Sequence, residues 1–523
     1  RTPMARSLHR STAVVGLNTF ASRVSGLVRD TLMAILFAAG PGMDAFLVAF
    51  KIPNFLRRIS AEGAFTQAFV PVLSEAKTKG SDAEVKELVQ VVAGTLGGVL
   101  LGVTIIGVLA APLLILLFAP GFYDTPDKFE LASNLLRLTF PYLLFISLVS
   151  LAGGVLNTYG HFGVPAVTPV LLNLSIIGAA LLLAPQFEQP VTALAVGVLI
   201  AGMVQLAFQL PFLWRLGLLP RPRWGWRDSR VRKILRLMLP VLFGSSIQQI
   251  ALLLDTIIAS FLITGSVSWL YYADRMMEFP LGIFTIAIAT VILPSLSAQH
   301  AKQSAETFSH MLDWALRLLL VIGTPAMIGL FVLARPLLTT LFQYRAFTPN
   351  DVLMAGYALS AYAFGFMGFS LVKVLLPGFY ARQDTMTPVR FGVIALSAGM
   401  LMSLSFVGGA VWLKLPAPHA GLALATSLGA FINASLLFRR LRRDGVYRPE
   451  AGWRALALKV LAANLLMAGV LVYMAGDLQA WFDWGLRERA WRLVATIGSG
   501  AISYFAALYL LGLRPAALRA PAH

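Results

Sequence analysis

Cysteine is absent from all 523 residues, so no disulfide staples the fold and no thiolate holds a metal. Charge is scarce as well. Charged residues make up 13% of the chain, against about 25% in a soluble domain. Acids are scarcer than bases, with 24 Asp+Glu against 42 Lys+Arg and a net charge of +18. A chain that is 58% hydrophobic cannot cover itself with polar surface in water. Other absences narrow the chemistry. There is no G-x-x-x-x-G-K-S/T phosphate loop and no paired nucleophile and base. His161, His300, His310 and His419 show no metal-ligand spacing, so no metal and no cofactor are expected. The short alternating strands of a membrane barrel are missing too.

Long apolar runs are present, such as 91–118 and 316–334. A bilayer core about 30 Å thick takes about 20 residues of helix, and lipid gives the backbone no other way to satisfy its hydrogen bonds. An all-α membrane protein with about 14 transmembrane helices is expected. Their limits are 11–38, 44–74, 88–118, 131–158, 165–184, 191–214, 234–263, 268–298, 307–334, 350–377, 387–412, 419–438, 453–475 and 490–512. The first run carries Arg23 and Arg29 and has no small-residue cleavage site, so it reads as a span rather than a leader. A cytoplasmic N-terminus places about 25 Lys/Arg on one side and about 7 on the other, as the positive-inside rule requires. An even helix count puts the C-terminus in the cytoplasm too. The excess of basic charge then belongs to loops 215–236 and 439–454, not to nucleic-acid binding. Such loops also suit anionic membrane lipids.

Those two loops divide the helices into six, six and two. FVPVLSE at 69–75 resembles ILPSLSA at 292–298, and LNTYGHFGVPAVTPV at 156–170 resembles PGFYARQDTMTPV at 377–389. Repeats of even helix number keep one orientation, so a pseudo-two-fold along the membrane normal is expected, with a substrate site between the repeats. The predicted organisation is a six-helix lobe over 1–216, a basic linker over 217–232, a second lobe over 233–440 and two further helices within 441–523.

Charge at the bilayer centre costs about 3 kcal/mol or more and marks partners or a wet cavity. Helix 1 carries Arg23, Arg29 and Asp30. Helix 2 carries Asp44, Lys51, Asn54, Arg57, Arg58 and Glu62 around Pro53, which should kink it. Helix 8 carries Asp274, Arg275 and Glu278. Helices 3, 5, 6 and 12 look nearly bare. The plainer alternative is structural ion pairing, as in Arg58–Glu62 or Arg275–Glu278. Arginine nevertheless exceeds carboxylate, and guanidinium is the preferred bidentate partner of phosphate, so an anionic cargo group is expected. Asp255 in helix 7 shares a face with Ser245 and Gln248. With Thr426, and less surely Ser403, it is a candidate coupling-ion site. A carboxyl bonded to Gln248 or Gln249 is the equal alternative.

The segments SRVSGLVRD at 22–30, MDAFLVAFKIPNFLRRISAEGAFTQAFVPVLSE at 43–75, GSVSWLYYADRMMEFPLG at 265–282, LFQYRAFT at 341–348 and PGFYARQDTMTPV at 377–389 closely resemble the MurJ (MviN) family of lipid II flippases. That family belongs to the multidrug/oligosaccharidyl-lipid/polysaccharide exporter superfamily. The resemblance implies two six-helix lobes around a cationic cavity and a lipid-tail groove on the last two helices. The implied cargo is undecaprenyl-pyrophosphoryl-MurNAc-pentapeptide-GlcNAc, and the implied place is the bacterial inner membrane. Arg23, Arg29, Arg57 and Arg275 match the required arginines. Asp30 and Asp44 match family positions, and Pro53, Glu62 and Glu278 lie within matched motifs. Asp30, Asp44, Lys51, Pro53, Arg58, Glu62, Asp274 and Glu278 are read as gating or cavity support. The expected partners are lipid II, membrane lipids and peptidoglycan-synthesis proteins, with a coupling ion or the membrane potential as driving force. The alternatives are a flippase for another polyprenyl-linked glycan, an ion-coupled multidrug exporter, a membrane enzyme acting on the same lipid, or a non-transporting scaffold.

Overall fold

The computed structural model describes residues 3–58, 64–282 and 305–514, with side chains described for all of these except 3–16, 240–241, 243–248, 251 and 305. The described residues are helical with short connections. Ten helical segments among them are long and apolar enough to cross a membrane. The chain divides into two compact units, Arg1–Ser268 and Trp269–His523.

The first unit contains α1 (Pro3–Phe37), α2 (Pro41–Arg57), α3 (Thr66–Lys79), α4 (Asp82–Leu109), α5 (Ala111–Phe118), α6 (Pro126–Thr139), α7 (Tyr142–Thr158), α8 (Gly163–Leu182), α9 (Thr192–Arg215) and α10 (Ser229–Ser260). Helix α11 runs over 266–282 of the described residues, so the division between units falls in its first turn. The second unit continues with α12 (Ala305–Val332), α13 (Ala334–Phe342), α14 (Pro349–Tyr380), α15 (Met386–Trp412), α16 (Ala420–Arg443), α17 (Trp453–Ala475), α18 (Leu478–Asp483) and α19 (Leu486–Leu510).

Two expected spans are interrupted among the described residues, each beside a proline. The 88–118 span breaks at Ala110 ahead of Pro112, and 131–158 breaks at Phe140–Pro141. A proline cannot donate into the preceding turn but suits the first turn of a new helix. Of the expected 44–74 span, α2 runs to Arg57 and α3 runs from Thr66, with wider π-type turns at 58 and 64–65; residues 59–63 lie outside the described residues. Capping fixes the clean starts. Ser81 and Glu84 form a reciprocal capping box on α4, and Thr348 and Asp351 form one on α14, each satisfying backbone donors that a helix start leaves open.

Within the first unit, α3, α4, α7, α9 and α10 close around Phe69, Leu73, Leu88, Val155 and Leu213. Within the second, α12, α14 and α16 share a core around Leu312, Val374, Phe379 and Leu437. Gly365 allows α14 to approach α16, since a Cβ there would lie 2.3 Å from the Ser427 hydroxyl; small residues give this closeness between membrane helices. Helices α17 and α19 pack with α12 through Val321, Val460, Met467 and Tyr504. The repeated segments at 156–170 and 377–389 occupy equivalent places, each running from a helix end through a tight turn into the next helix, α7–α8 and α14–α15. The partner segment 292–298 lies outside the described residues.

Arg489 is the main polar fastening of the second unit. It is buried and donates to the carbonyls of Trp481 (2.8 Å), Phe482 (2.9 Å), Thr339 (3.2 Å) and Gln343 (2.7 Å), and to the Gln343 side chain. These carbonyls end α18 and α13, where helices leave acceptors open and carry negative partial charge. Arg489→Ala should therefore lower stability by about 3 kcal/mol, because several buried acceptors lose their donor at once. Arg489→Lys should recover less than half, since an ammonium cannot span the same fork. Thermal unfolding in detergent checks both; an unchanged midpoint for the alanine variant contradicts the assignment.

Candidate functional site

In the first unit the polar residues of α1 meet α8. Arg29 donates through Nε and Nη2 to Asp30 Oδ1 (2.9 and 2.7 Å) and through Nη1 to Asn173 Oδ1 (2.9 Å). Asn173 in turn donates to the Ser22 carbonyl (3.1 Å) and the Ser25 hydroxyl (2.9 Å). Arg29 and Asp30 are both largely buried, at 12% and 4% side-chain exposure, so each needs the other. Arg23, one face round the same helix, is half-buried and makes no hydrogen bond or ion pair among the described residues.

Helix α2 brings a second arginine to the same region. Arg57 donates through Nε to Asn54 Oδ1 at 3.1 Å, and Asn54 donates to the Phe50 carbonyl at 3.1 Å. The buried Tyr142 of α7 lies within the electrostatic reach of both Arg57 and Arg29. Arg58 points to the exposed side. Lys51 donates to Thr256 Oγ1 of α10 at 2.5 Å, beside Asp255. Pro53 has a direct structural consequence. Lacking an N–H, it leaves the Ala49 carbonyl without its helical donor, and the Thr139 hydroxyl of α6 supplies one at 2.8 Å.

Asp44 is not an open gating group in this structure. It is buried, and its Oδ2 accepts Lys128 Nζ (3.0 Å) and the Gly265 amide (2.8 Å). Its Oδ1 accepts the Ser268 amide (3.0 Å) and hydroxyl (2.6 Å). A carboxylate on the first amides of α11 satisfies open donors and complements the positive end of the helix. Lys128 also lies over the Phe122 ring at 4.2 Å.

In the second unit, Arg275 Nη1 donates to Glu278 Oε2 at 2.6 Å, and the guanidinium lies 5.1 Å from the Tyr271 ring centre. This is the ion pair that the plainer alternative foresaw. Both partners remain partly exposed, at 31% and 48%. Asp274 is half-buried on the same helix. Asp255 lies on α10 and Thr426 on α16, each half-buried, in different units. Glu62 lies outside the described residues, as do the side chains of Ser245 and Gln248.

Charge alone undercounted the polar groups of the spans. Helices 5 and 6, which looked nearly bare, carry Asn173, Thr168, Gln205 and Gln209; Asn173 bonds Arg29, and Gln205 donates to the Thr168 carbonyl at 2.7 Å. Uncharged amides in apolar runs were the available signal. Also missed was Asp313 of α12, which accepts from Tyr447 Oη (2.7 Å), Trp453 Nε1 (2.8 Å) and Arg317 Nε (2.6 Å). It ties the loop before α17 to α12. Burial, with the Asp313 carboxylate as neighbour, pushes the Tyr447 hydroxyl far up from its ordinary value.

A polytopic α-helical membrane protein with buried arginines on its spans falls in the class of membrane carriers. The family model described as lipid II flippase MurJ matches residues 33–488, and the chain belongs to that family. It is 47% identical to a probable lipid II flippase MurJ of Vibrio cholerae, covering 99% of this chain and 98% of the relative. It is 40% identical to the lipid II flippase MurJ of Burkholderia cenocepacia over 98% and 99%. A solved lipid II flippase MurJ in an inward closed conformation aligns with TM-score 0.79 at 27% identity, over 95% of this chain and 98% of that one. An inward-facing multidrug resistance transporter of the MATE family shares the fold, with TM-score 0.61 at 16% identity over 81% and 95%.

Two stability predictions follow from this geometry. Asp44→Ala strands a buried ammonium and should cost about 3–5 kcal/mol; adding Lys128→Met should restore part of it in thermal unfolding. Thr139→Val should cost about 1 kcal/mol in the native background and less in Pro53→Ala, where residue 53 regains its N–H. Equal costs in both backgrounds would remove the link between Pro53 and Thr139.

Proposed function

We propose that this chain carries lipid II from the cytoplasmic to the periplasmic leaflet of the bacterial inner membrane by alternating access, for peptidoglycan synthesis. It acts in this reading as a carrier and not as an enzyme. Family membership over nearly the whole length supports it. The observation that supports the site assignment is that Arg29 and Arg57 lie inside their helices' apolar runs with their guanidinium groups turned to polar partners, Asp30 and Asn173 for the one and Asn54 for the other. A diphosphate brings two charged groups and several acceptor oxygens, and charge-assisted bonds to guanidinium offset its lost hydration. Arg23 and Arg275 complete the proposed contacts. The local pairs Arg29–Asp30 and Arg275–Glu278 hold the cations when cargo is absent, and Asp44 supports α11 rather than gating.

Both termini and the basic loops 215–236 and 439–454 face the cytoplasm in this proposal. An inward-negative potential acts on the cationic carrier, worth about 2.3 kcal/mol per charge per 100 mV if the whole field is crossed. Asp255 and Thr426 remain proposed as a coupling-cation site. Fluorescent lipid II in liposomes tests the scheme. Arg275→Ala, which should melt like the parent, and Arg29→Ala, which leaves the buried Asp30 unpaired and should melt earlier but still insert, should each reduce flipping at least tenfold. Wild-type rates in both would overturn the assignment. Running the parent and Asp255→Asn in sodium, potassium and choline buffers, with and without a potential, separates ion coupling from potential. A cation requirement lost in Asp255→Asn supports the ion site; cation-independent flipping by the parent removes it.

A further inference from the structure

The connection between α9 and α10 is held against α4 in an extended path. The Arg223 amide donates to the Gln90 carbonyl at 3.1 Å, and the Gly225 amide donates to Thr95 Oγ1 at 3.0 Å. Glycines clear the way. A Cβ on Gly94 would sit 2.3 Å from the Arg223 backbone, and one on Gly98 would sit 2.8 Å from the Trp224 ring. The loop is thus seated on α4 by design of both surfaces.

Its side chains are oddly placed for a loop in water. Trp224 and Trp226 stack with ring centres 6.3 Å apart and planes at 13°, yet they are 60% and 48% exposed. Their level along α4 gives the reason. Up to Glu87 the exposed face of α4 is charged. From Val99 onward it is a continuous apolar band through Leu101, Ile105 and Leu109, and on into α5 at Leu113 and Leu117. Trp224 rests on Gly98, at the edge of that band. Indoles concentrate at this boundary between headgroups and acyl chains. Arg221, Arg223 and Arg227 flank them and are all exposed. Arg223 has a loose ion pair with Glu87 at 3.7 Å, and Arg221 and Arg227 make no ion pair among the described residues. The nearby acid Asp228 is already taken by Arg230 at 2.7 Å.

We propose that loop 221–227 and the adjoining face of α4 form a binding site for an anionic phospholipid. The headgroup phosphate meets the three guanidinium groups, the glycerol region lies against the Trp224–Trp226 pair, and an acyl chain follows the band that begins at Val99. The site takes a resident lipid of the surrounding leaflet.

Native mass spectrometry of the purified full chain with equimolar phosphatidylglycerol and phosphatidylethanolamine tests this. Each arginine near the headgroup contributes about fivefold, so the parent should bind phosphatidylglycerol in clear excess. Arg221→Gln/Arg223→Gln/Arg227→Gln should remove that excess, and Trp224→Ala/Trp226→Ala should weaken both lipids. The control Arg439→Gln/Arg442→Gln/Arg443→Gln should keep the excess. If the triple loop variant melts early, Arg221→Gln/Arg227→Gln, which disturbs no described partner, must still reduce it several-fold. An excess that survives in the loop variants, or that falls equally in the control, overturns the proposal. Displacement by millimolar inorganic phosphate would show a phosphate site instead and also overturns it.

Discussion

A charged side chain within a membrane-spanning bundle has no water to fall back on, and the rest of this structure depends on that constraint. Most such charges among the described residues are held by polar or oppositely charged side chains or by backbone groups with open hydrogen bonds. Two solutions recur. In the first, one ion collects bonds from elements distant in sequence. Asp44 gathers Lys128, Gly265 and Ser268, Asp313 gathers Tyr447, Trp453 and Arg317, and Arg489 gathers the ends of α13 and α18. These ions build the fold, and removing one strands its partners.

In the second solution the ion bonds a neighbour on its own helix. Arg29 bonds Asp30, Arg57 bonds Asn54, and Arg275 bonds Glu278; Arg29 also reaches Asn173 of α8. Pairs of this local kind are worth about 0.2–0.5 kcal/mol on an exposed helix. A diphosphate offers stronger acceptors to the same groups, so in the proposed function one partner exchanges for the other.

Much of this was legible in the sequence. The long uncharged runs give the all-helical membrane class directly, and the motifs around Arg29, Pro53 and Arg275 carry the family resemblance. Helix length and continuity were less legible, because Pro112 and Pro141 split runs that are uniformly apolar. The role of Asp44 was hidden for a different reason. Its partners Gly265 and Ser268 lie more than two hundred residues away, and no local pattern announces a carboxylate capping a remote helix. Counting charges also passed over Asn173, Gln205 and Tyr142. An amide or phenol adds nothing to net charge, yet Asn173 is a direct partner of Arg29.

The central claim is that guanidinium groups on α1, α2 and α11 recognise a diphosphate. Equilibrium binding of a short-chain lipid II and of its monophosphate counterpart to the purified protein tests it most directly. A preference for the diphosphate of about tenfold, one further charge-assisted contact, is the predicted result, and it should vanish in Arg29→Ala/Arg57→Ala/Arg275→Ala. Equal affinity for the two lipids, or an undiminished preference in the triple variant, would contradict the account.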